Sequence, residues 1–238
     1  MQTILKQSPE SALTAAGEQF NSALSAEAGK PLLILLSGGS ALKLTDSIPE
    51  SALTKQTTIG ILDERYSTDP EVNTFAQFKK TDAYQLCIAK KCTVINSLPE
   101  DESQEDMAER IDKQLHDWAF MNPQGAVIIT QGIGADGHTA GIMPYPEDSD
   151  GFYKRFDNPE KWIVGYDAGD KNQFPHRITV SLAFLRSMVT TSIVYAVGME
   201  KRQALSSMMT NGTLADVPAR ILRQMPDVYL FTDISLNP

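Results

Sequence analysis

The chain has 238 residues, of which 42% are hydrophobic and 21% charged, and its formal net charge at pH 7 is −9. This length and composition fit one globular domain, residues 1–238, and the negative charge argues against nucleic acid or an anionic membrane surface as a partner. Its 2 cysteines, Cys87 and Cys92, indicate neither a disulfide framework nor a CxxC metal site, and they fit a reducing cytoplasm.

The N-terminal segment carries a helix signal rather than a targeting signal. The stretch MQTILKQSPESAL lacks a basic segment followed by an apolar one, so we expect no signal peptide. Ser8 is the expected N-cap of a helix that begins at Pro9, because serine caps helices and proline is favoured at their first position. Every apolar run in the chain is too short to span a bilayer.

Short apolar runs rich in Val, Ile and Leu recur along the chain, with helix-like stretches between several of them. Continuous runs of this kind are typical of buried strands in a parallel sheet. The runs are LLILL (32–36), TIGIL (58–62), CTVI (92–95), AVIIT (126–130), WIVGY (162–166), SIVYAV (192–197) and VYLF (228–231). The alternation of strands and helices predicts an α/β fold with a mostly parallel sheet flanked by helices.

One of the helix-like stretches, residues 103–120, has apolar residues three or four positions apart. This spacing predicts an amphipathic helix with one buried face. The residues of that face are Met107, Ile111, Leu115 and Trp118. The polar stretch 145–161, rich in Pro, Gly and Asp, is instead expected to be a loop or a small excursion.

Four polar loops each follow a predicted strand. Loops after the carboxyl ends of parallel strands converge on one crevice, and ligands bind there in open α/β sheets. The loops are SGGS (37–40), DERY (63–66), QGIGADGH (131–138) and GMEK (198–201). The sequence therefore predicts a binding site or an active site at this edge of the sheet.

The first loop has the features of an oxyanion site. Gly38 and Gly39 allow backbone N–H groups to approach an anion, and the hydroxyl of Ser40 and a helix N-terminus would add donors. It is not a Walker A loop, because no G-K-[ST] follows. A tight turn that uses glycine for its conformation is the alternative, and the neighbouring loops favour phosphate binding.

The second loop places charged residues at the end of a buried strand. Burying a charge costs free energy, so such residues are expected either to form ion pairs or to have a function in the site. Asp63 is a candidate acid–base or hydroxyl-binding group, and Arg65 is a candidate contact for a substrate anion. The alternative is a helix-capping aspartate in an Asp–Arg ion pair.

The third loop contains Gly132, Gly134 and Gly137 in the G-x-G-x-x-G spacing of dinucleotide-binding proteins. Two features argue against a dinucleotide. Asp136 would press a carboxylate toward the pyrophosphate, and about twenty residues on there is no strand ending in an acidic residue. The glycines are better explained as exposing Asp136 and His138, which we interpret as an acid–base pair.

Two further cations lie near these loops in sequence. Lys201 could reach an anion in the crevice, although an isolated lysine is more often a solvated surface residue. Arg177 precedes a strand instead of following one. Either that strand runs antiparallel, as part of a short excursion around 145–181, or Arg177 is structural.

Taken in order, these segments resemble the 6-phosphogluconolactonase family of the sugar-phosphate isomerase/deaminase superfamily. The resemblance covers nearly the whole chain and rests on LSGGS, DER with Asn73 ten residues after Asp63, GIGADGHTA, RITVS, VGMEKRQAL and VPARIL…PDVYLFTD. It implies a doubly wound, Rossmann-like α/β fold. It also implies hydrolysis of 6-phosphogluconolactone, a phosphosugar lactone, without a cofactor or a metal, and it leaves the oligomeric state open.

The resemblance also implies roles for individual residues. His138 is the implied general acid/base, and Asp63 and Asp136 shape its site. The implied contacts to the phosphate and the sugar are Gly38, Gly39, Ser40, Arg65, Asn73, Arg177 and Lys201. The chain departs from the family pattern in reading SAL after the two glycines, Val72 before the asparagine and HTAGIMP after the loop.

Three alternatives are ranked below this function. The nearest is glucosamine-6-phosphate deaminase, whose motifs differ from this chain at Arg65 and at Met143, so that a glutamate of its ring-opening relay is missing here. A non-catalytic sugar-phosphate-binding module is the alternative of another class, and the altered glycine loop favours it. A dinucleotide-dependent oxidoreductase comes last.

Overall fold

The computed structural model describes residues 1–236, which form ten strands, seven α-helices and five short 3-10 helices. The strands are β1 (Gln2–Leu5), β2 (Leu32–Leu36), β3 (Thr57–Ile61), β4 (Asp63–Arg65), β5 (Thr93–Val94), β6 (Ala126–Gln131), β7 (Ile163–Asp167), β8 (His176–Val180), β9 (Thr191–Tyr195) and β10 (Asp227–Thr232). The α-helices are α1 (Pro9–Ala26), α2 (Thr74–Phe78), α3 (Asp82–Ala89), α4 (Gln104–Met121), α5 (Ser149–Phe156), α6 (Leu182–Ser187) and α7 (Arg202–Met209). The 3-10 helices span Gly39–Ser47, Glu50–Ala52, Gly169–Lys171, Met199–Lys201 and Pro218–Arg223.

The main sheet has seven strands in the order β1-β10-β9-β6-β2-β3-β5, and all its neighbours are parallel. The chain adds β3 and β5 on one side of β2 and later β6, β9 and β10 on the other, which is a doubly wound arrangement. Every residue of β2, β3 and β6 is buried. Strands buried on both faces need continuous apolar runs. The predicted α/β fold is therefore confirmed.

A second sheet contains three antiparallel strands in the order β4-β8-β7. This confirms the short antiparallel excursion. It also corrects the assignment of WIVGY to the parallel sheet, because that run forms β7 of the small sheet. Ile163 and Tyr166 of β7 enter the core, whereas Gly165 lies against α4, so the run is apolar although the strand is only partly buried.

Helices cover both faces of the main sheet. Side chains alternate along a strand, so successive residues of β2 belong to different hydrophobic clusters. Leu33 and Leu35 pack with residues of α4 to α7, whereas Leu32, Ile34 and Leu36 pack with residues of α1 to α3. The layers are helix, sheet and helix.

The predicted helix starts and faces agree with the structure. Ser8 caps α1, since its side chain accepts a hydrogen bond from the backbone N–H of Ser11 at 3.2 Å. The predicted apolar face of α4 is buried. Residues 145–161 differ from the expected loop because they contain α5, which Asp148 caps and whose Phe152 is buried. Within residues 1–236, none of the helices combines the length and the hydropathy needed to cross a membrane.

Candidate active site

A pocket of about 240 Å³ opens at the carboxyl ends of β2, β3, β6 and β9. Residues from all four of the polar loops noted in the sequence line it, together with residues of the small sheet. The lining residues are Ser37, Gly38, Gly39, Ser40, Asp63, Arg65, Thr74, Gly132, Ile133, Gly134, His138, Ala140, Gly141, Asn172, Arg177 and Lys201. The structure thus gathers eight of the ten predicted site residues around one pocket, and the other two, Asn73 and Asp136, do not line it.

His138 is held by Asp136 at the mouth of this pocket. The Nδ1 atom of His138 lies 2.6 Å from Oδ1 of Asp136, and the backbone N–H of His138 donates to the same oxygen at 3.1 Å. Burial raises the pKa of the Asp136 carboxyl, but the hydrogen bonds and charge of His138 outweigh it and leave that pKa below its ordinary value. Asp136 is therefore a carboxylate that fixes the orientation of the ring. Nε2 is the ring nitrogen that remains for substrate or water.

Gly134 is required by this pair. A Cβ atom at residue 134 would lie 2.1 Å from Nδ1 of His138 and 2.6 Å from Oδ1 of Asp136. The backbone N–H of Gly134 donates to the carbonyl of His138 at 2.9 Å, which closes the loop into a tight turn. The glycine spacing that resembles a dinucleotide fingerprint thus makes room for an imidazole and a carboxylate.

Arg65 and Arg177 form a cationic wall of the pocket. They are directly opposite one another in the pairing of β4 with β8. Burial lowers the pKa of Arg65, and the neighbouring charge of Arg177 lowers it further. The guanidinium of Arg65 stacks on Phe174, with its central carbon 4.7 Å from the ring centroid. Nε of Arg177 is buried and has no hydrogen-bond partner among the described residues. Two adjacent cations of this kind favour a bound anion.

Asp63 joins this wall to the glycine loop after β2. Its Oδ2 accepts a hydrogen bond from Nη2 of Arg177 at 2.8 Å, and its Oδ1 accepts one from Oγ of Ser37 at 2.9 Å. The Asp–Arg ion pair considered as the alternative for Asp63 is thus present, with Arg177 as the partner. Asp63 also lines the pocket, and both of its carboxylate oxygens are bonded to other lining residues.

The glycine loop and Lys201 complete the polar lining. A 3-10 helix begins at Gly39, so the first turn of a helical segment lies at the pocket beside Ser40. Lys201 ends a second short 3-10 helix. Burial lowers the pKa of Lys201, and the nearby carboxylates of Glu200 and Asp233 oppose that shift. A partly buried amine at a pocket is suited to an anionic ligand, which would offset its desolvation.

Asn73 is placed differently from the other predicted contacts. It is fully buried, and its Oδ1 caps α2 by accepting from the backbone N–H of Ala76 at 2.8 Å. Its Nδ2 donates to the carbonyl of Ser97 at 3.1 Å. It lies beside the lining residue Thr74 but does not line the pocket itself.

Three polar lining residues were not singled out from the sequence. Ser37 directly precedes the glycines and follows the last residue of β2, so the strand-end rule could have included it. Thr74 follows the cap residue of α2, and Asn172 comes from the connection between β7 and β8. No sequence signal identifies Asn172. Among residues 1–236, no group of three or more His, Cys, Asp or Glu side chains is placed to hold a metal ion.

Comparison with known proteins identifies the family to which the chain belongs. A model of the family described as glucosamine-6-phosphate isomerases/6-phosphogluconolactonase matches residues 7–230. The chain belongs to this family. No curated protein sequence matches it.

Solved structures of the family share its fold. The 6-phosphogluconolactonase of Leishmania guyanensis is 20% identical with a TM-score of 0.72, and the match covers 97% of this chain and 95% of that one. A 6-phosphogluconolactonase of Shewanella baltica is 19% identical with a TM-score of 0.73 and 97% coverage of both chains. A monomeric glucosamine-6-phosphate deaminase is 14% identical with a TM-score of 0.67, covering 98% of this chain and 97% of its own. Because lactonases and a deaminase both match, the fold does not choose between the two reactions.

Proposed function

We propose that this protein hydrolyses 6-phosphogluconolactone to 6-phosphogluconate, in the cytoplasm and as a step of the oxidative pentose phosphate pathway. The observation that carries the proposal is the His138–Asp136 pair, joined at 2.6 Å in the same pocket as the cationic wall of Arg65 and Arg177. The imidazole of His138 can move a proton, and the two arginines can hold a phosphate. A lactone is an activated ester, so a covalent nucleophile is not needed.

The proposed reaction begins with water at the lactone carbonyl. Asp136 accepts from Nδ1 of His138 and so leaves Nε2 as the free base. Nε2 takes a proton from the attacking water as the C1–O bond to that water forms. The imidazolium, stabilised by the Asp136 carboxylate, then gives the proton to the ring oxygen as the bond from C1 to that oxygen breaks. The products are the free acid and a hydroxyl, and the enzyme is unchanged.

The remaining lining residues would bind and orient the substrate. Arg65, Arg177 and Lys201 are the cations of the pocket, and an ester phosphate is the group they fit best. The backbone and hydroxyl of the loop at Gly39 and Ser40 supply further donors. Holding the phosphate fixes the lactone ring relative to His138, which reduces the entropy lost on reaching the transition state.

One position supports ranking the deaminase alternative lower. Met143 stands where that branch carries an acidic residue, and its side chain is fully buried. Its sulfur faces Nδ2 of Asn172 at 3.8 Å. An apolar, buried side chain cannot replace a carboxylate in a proton relay. We therefore rank lactone hydrolysis above ammonia release.

The proposal is tested by measuring lactone hydrolysis directly. The lactone is generated in place by a dehydrogenase, and acid release is followed with and without the protein against the spontaneous rate. The protein should accelerate hydrolysis, and His138→Ala should lower turnover at least about a hundredfold. His116→Ala is the matched control, because His116 stacks on Trp162 and does not line the pocket.

Three results would count against the proposal. Near-normal turnover by His138→Ala would remove that residue from the mechanism. Tight binding of 6-phosphogluconate without hydrolysis would identify a sugar-phosphate-binding module. Ammonia release from glucosamine 6-phosphate at a useful rate would reverse the ranking of the two enzymes.

A further inference from the structure

Glu64 is a buried carboxylate that the proposed reaction does not use. It lies between the pocket residues Asp63 and Arg65, but its side chain points away from the pocket and is only 1% exposed. In the part of the chain that the structure describes, no cation lies within salt-bridge distance of it. A charge buried in this way is unfavourable unless hydrogen bonds compensate it.

Four hydrogen bonds compensate part of this cost. Oε1 of Glu64 accepts from the backbone N–H of Arg65 at 2.7 Å and from the backbone N–H of Thr74 at 2.7 Å. Oε2 accepts from the backbone N–H of Phe75 at 2.9 Å and from the hydroxyl of Ser97 at 2.8 Å. One side chain therefore connects β4, the first turn of α2 and the segment after β5.

The two oxygens serve different partners. Both donors to Oε1, the amides of Arg65 and Thr74, belong to residues that line the pocket. Both donors to Oε2 belong to residues that do not. A single oxygen thus sets the distance between a cationic residue on one element and a hydroxyl-bearing residue on another.

Asn73 also holds Arg65 and Ser97 in place, through their backbone carbonyls. Its Nδ2 donates to the carbonyl of Arg65 at 3.4 Å and to the carbonyl of Ser97 at 3.1 Å. The backbone of Arg65 is therefore held at its N–H by Glu64 and at its carbonyl by Asn73. This contact explains why Asn73 accompanies the site without lining it.

We propose that Glu64 is a positioning residue that fixes Arg65 relative to Thr74 and thereby sets the affinity of the pocket for its phosphosugar substrate. The inference rests on the proposed function, since it assigns the phosphate to the wall that carries Arg65. It predicts that disturbing Glu64 changes substrate binding more than it changes the proton transfer at His138, which stands on a different loop.

The test compares Glu64→Gln with Ser97→Ala. In Glu64→Gln an NH2 group replaces one carboxylate oxygen. At Oε1 it removes the bonds to the amides of Arg65 and Thr74, whereas at Oε2 it removes the bond to the amide of Phe75, because the hydroxyl of Ser97 can turn to accept. We expect KM for the lactone to rise roughly tenfold or more, the equivalent of one hydrogen bond to a charged group, while kcat changes by less than about threefold. Ser97→Ala removes only a donor to Oε2, so it should lower the melting temperature and leave KM unchanged.

A purely structural role for Glu64 predicts a different pattern. KM would then be the same in wild type, Glu64→Gln and Glu64→Asp at a temperature where all three are folded, or Ser97→Ala would raise KM as much as the Glu64 variants do. Either result would overturn the inference. Glu64→Asp is therefore measured beside Glu64→Gln. It keeps the charge but withdraws both oxygens from their donors, so it should raise KM with little change in kcat whichever way the amide of Glu64→Gln turns, and it also serves if Glu64→Gln does not fold.

Binding of 6-phosphogluconate separates this inference from the proposed reaction. If wild type binds it but hydrolyses no lactone, the proposed hydrolysis fails, and the ratio of dissociation constants for Glu64→Gln and wild type tests positioning by itself. Equal dissociation constants would overturn positioning even if hydrolysis is present. Absence of binding by wild type would overturn both.

Discussion

The carboxylate of Asp63 and the guanidinium of Arg177 meet at 2.8 Å, although 114 residues separate them in the chain. Their side chains are 12% and 5% exposed, so water screens the pair weakly. The contact ties the first strand of the small sheet to its central strand at the wall of the pocket. Removing this ion pair should therefore lower the stability of the fold as well as the affinity for an anionic ligand.

Arg177→Met should lower the free energy of unfolding by about 3 kcal/mol, because it leaves Asp63 largely buried without its cation. Urea denaturation measures this change. Adding Asp63→Asn to Arg177→Met should recover part of the loss, since the double variant no longer buries an unpaired charge. A single variant as stable as wild type would show that the pair contributes nothing to folding.

Gly134→Ala should disable the site without unfolding the protein. The added methyl group would collide with Nδ1 of His138 and displace the ring, and turnover should fall by roughly a hundredfold, as expected when a general base is misplaced. Gly132→Ala is the matched control for the collision, because no atom beyond its chain neighbours lies closer than 3.9 Å to its added Cβ. Since Gly132 also lines the pocket, the two variants are compared at saturating lactone. Lactonase assays and thermal melts on both variants test this; equal loss of activity in the two would contradict it.

Asp136→Asn should reduce turnover and leave KM nearly unchanged. The amide keeps the size of the side chain but loses the charge that, on the proposed mechanism, stabilises the imidazolium of His138, and it can hold the ring in the wrong tautomer. We expect kcat to fall by about 10²- to 10⁴-fold. Steady-state kinetics at saturating lactone measures the effect, and a variant with wild-type kcat would show that Asp136 has no part in the chemistry.

Glu64 should make stability depend on pH between about 4.5 and about 7. Burial raises the pKa of its carboxyl from 4.5 to about 7, against the effect of the hydrogen bonds that it accepts. The folded chain then holds this proton more tightly than the unfolded chain. The resulting stabilisation is complete below the ordinary pKa and is lost as pH rises through the folded one.

Unfolding titrations of wild type and Glu64→Gln across this range isolate the effect. The stability of wild type relative to the variant should decrease as pH rises, because the glutamine side chain of the variant does not titrate. A difference that stays constant with pH, or that grows, would show that the pKa of Glu64 is not raised.

The main sheet could be predicted from sequence because its central strands are buried on both faces and leave continuous apolar runs such as residues 32–36 and 126–130. Once these strands were recognised, the loops after them could be predicted to meet at one edge of the sheet. The edge strand β1 was not predicted, since it is short and largely exposed and its residues show no apolar run.

Details of the site were harder to predict, since they depend on pairing between distant segments. The sequence around Asp63 does not show that residues 63–65 form a strand, or that Arg65 stands opposite Arg177 in it. The role of Glu64 depends on four donors from three segments, which no local pattern reveals. Asn73 was found through a motif, but the motif does not distinguish a ligand contact from a helix cap.

The two arginines belong to the small sheet, whereas the His138–Asp136 pair belongs to a loop of the large one. On the proposed assignment, the two arginines that hold the phosphate and the pair that moves the proton are encoded by separate stretches of chain. Substitutions in the loop that carries Asp136 and His138 can then alter the reaction while the arginines still bind the phosphate. This separation is compatible with the family description, which joins isomerases with lactonases on one scaffold.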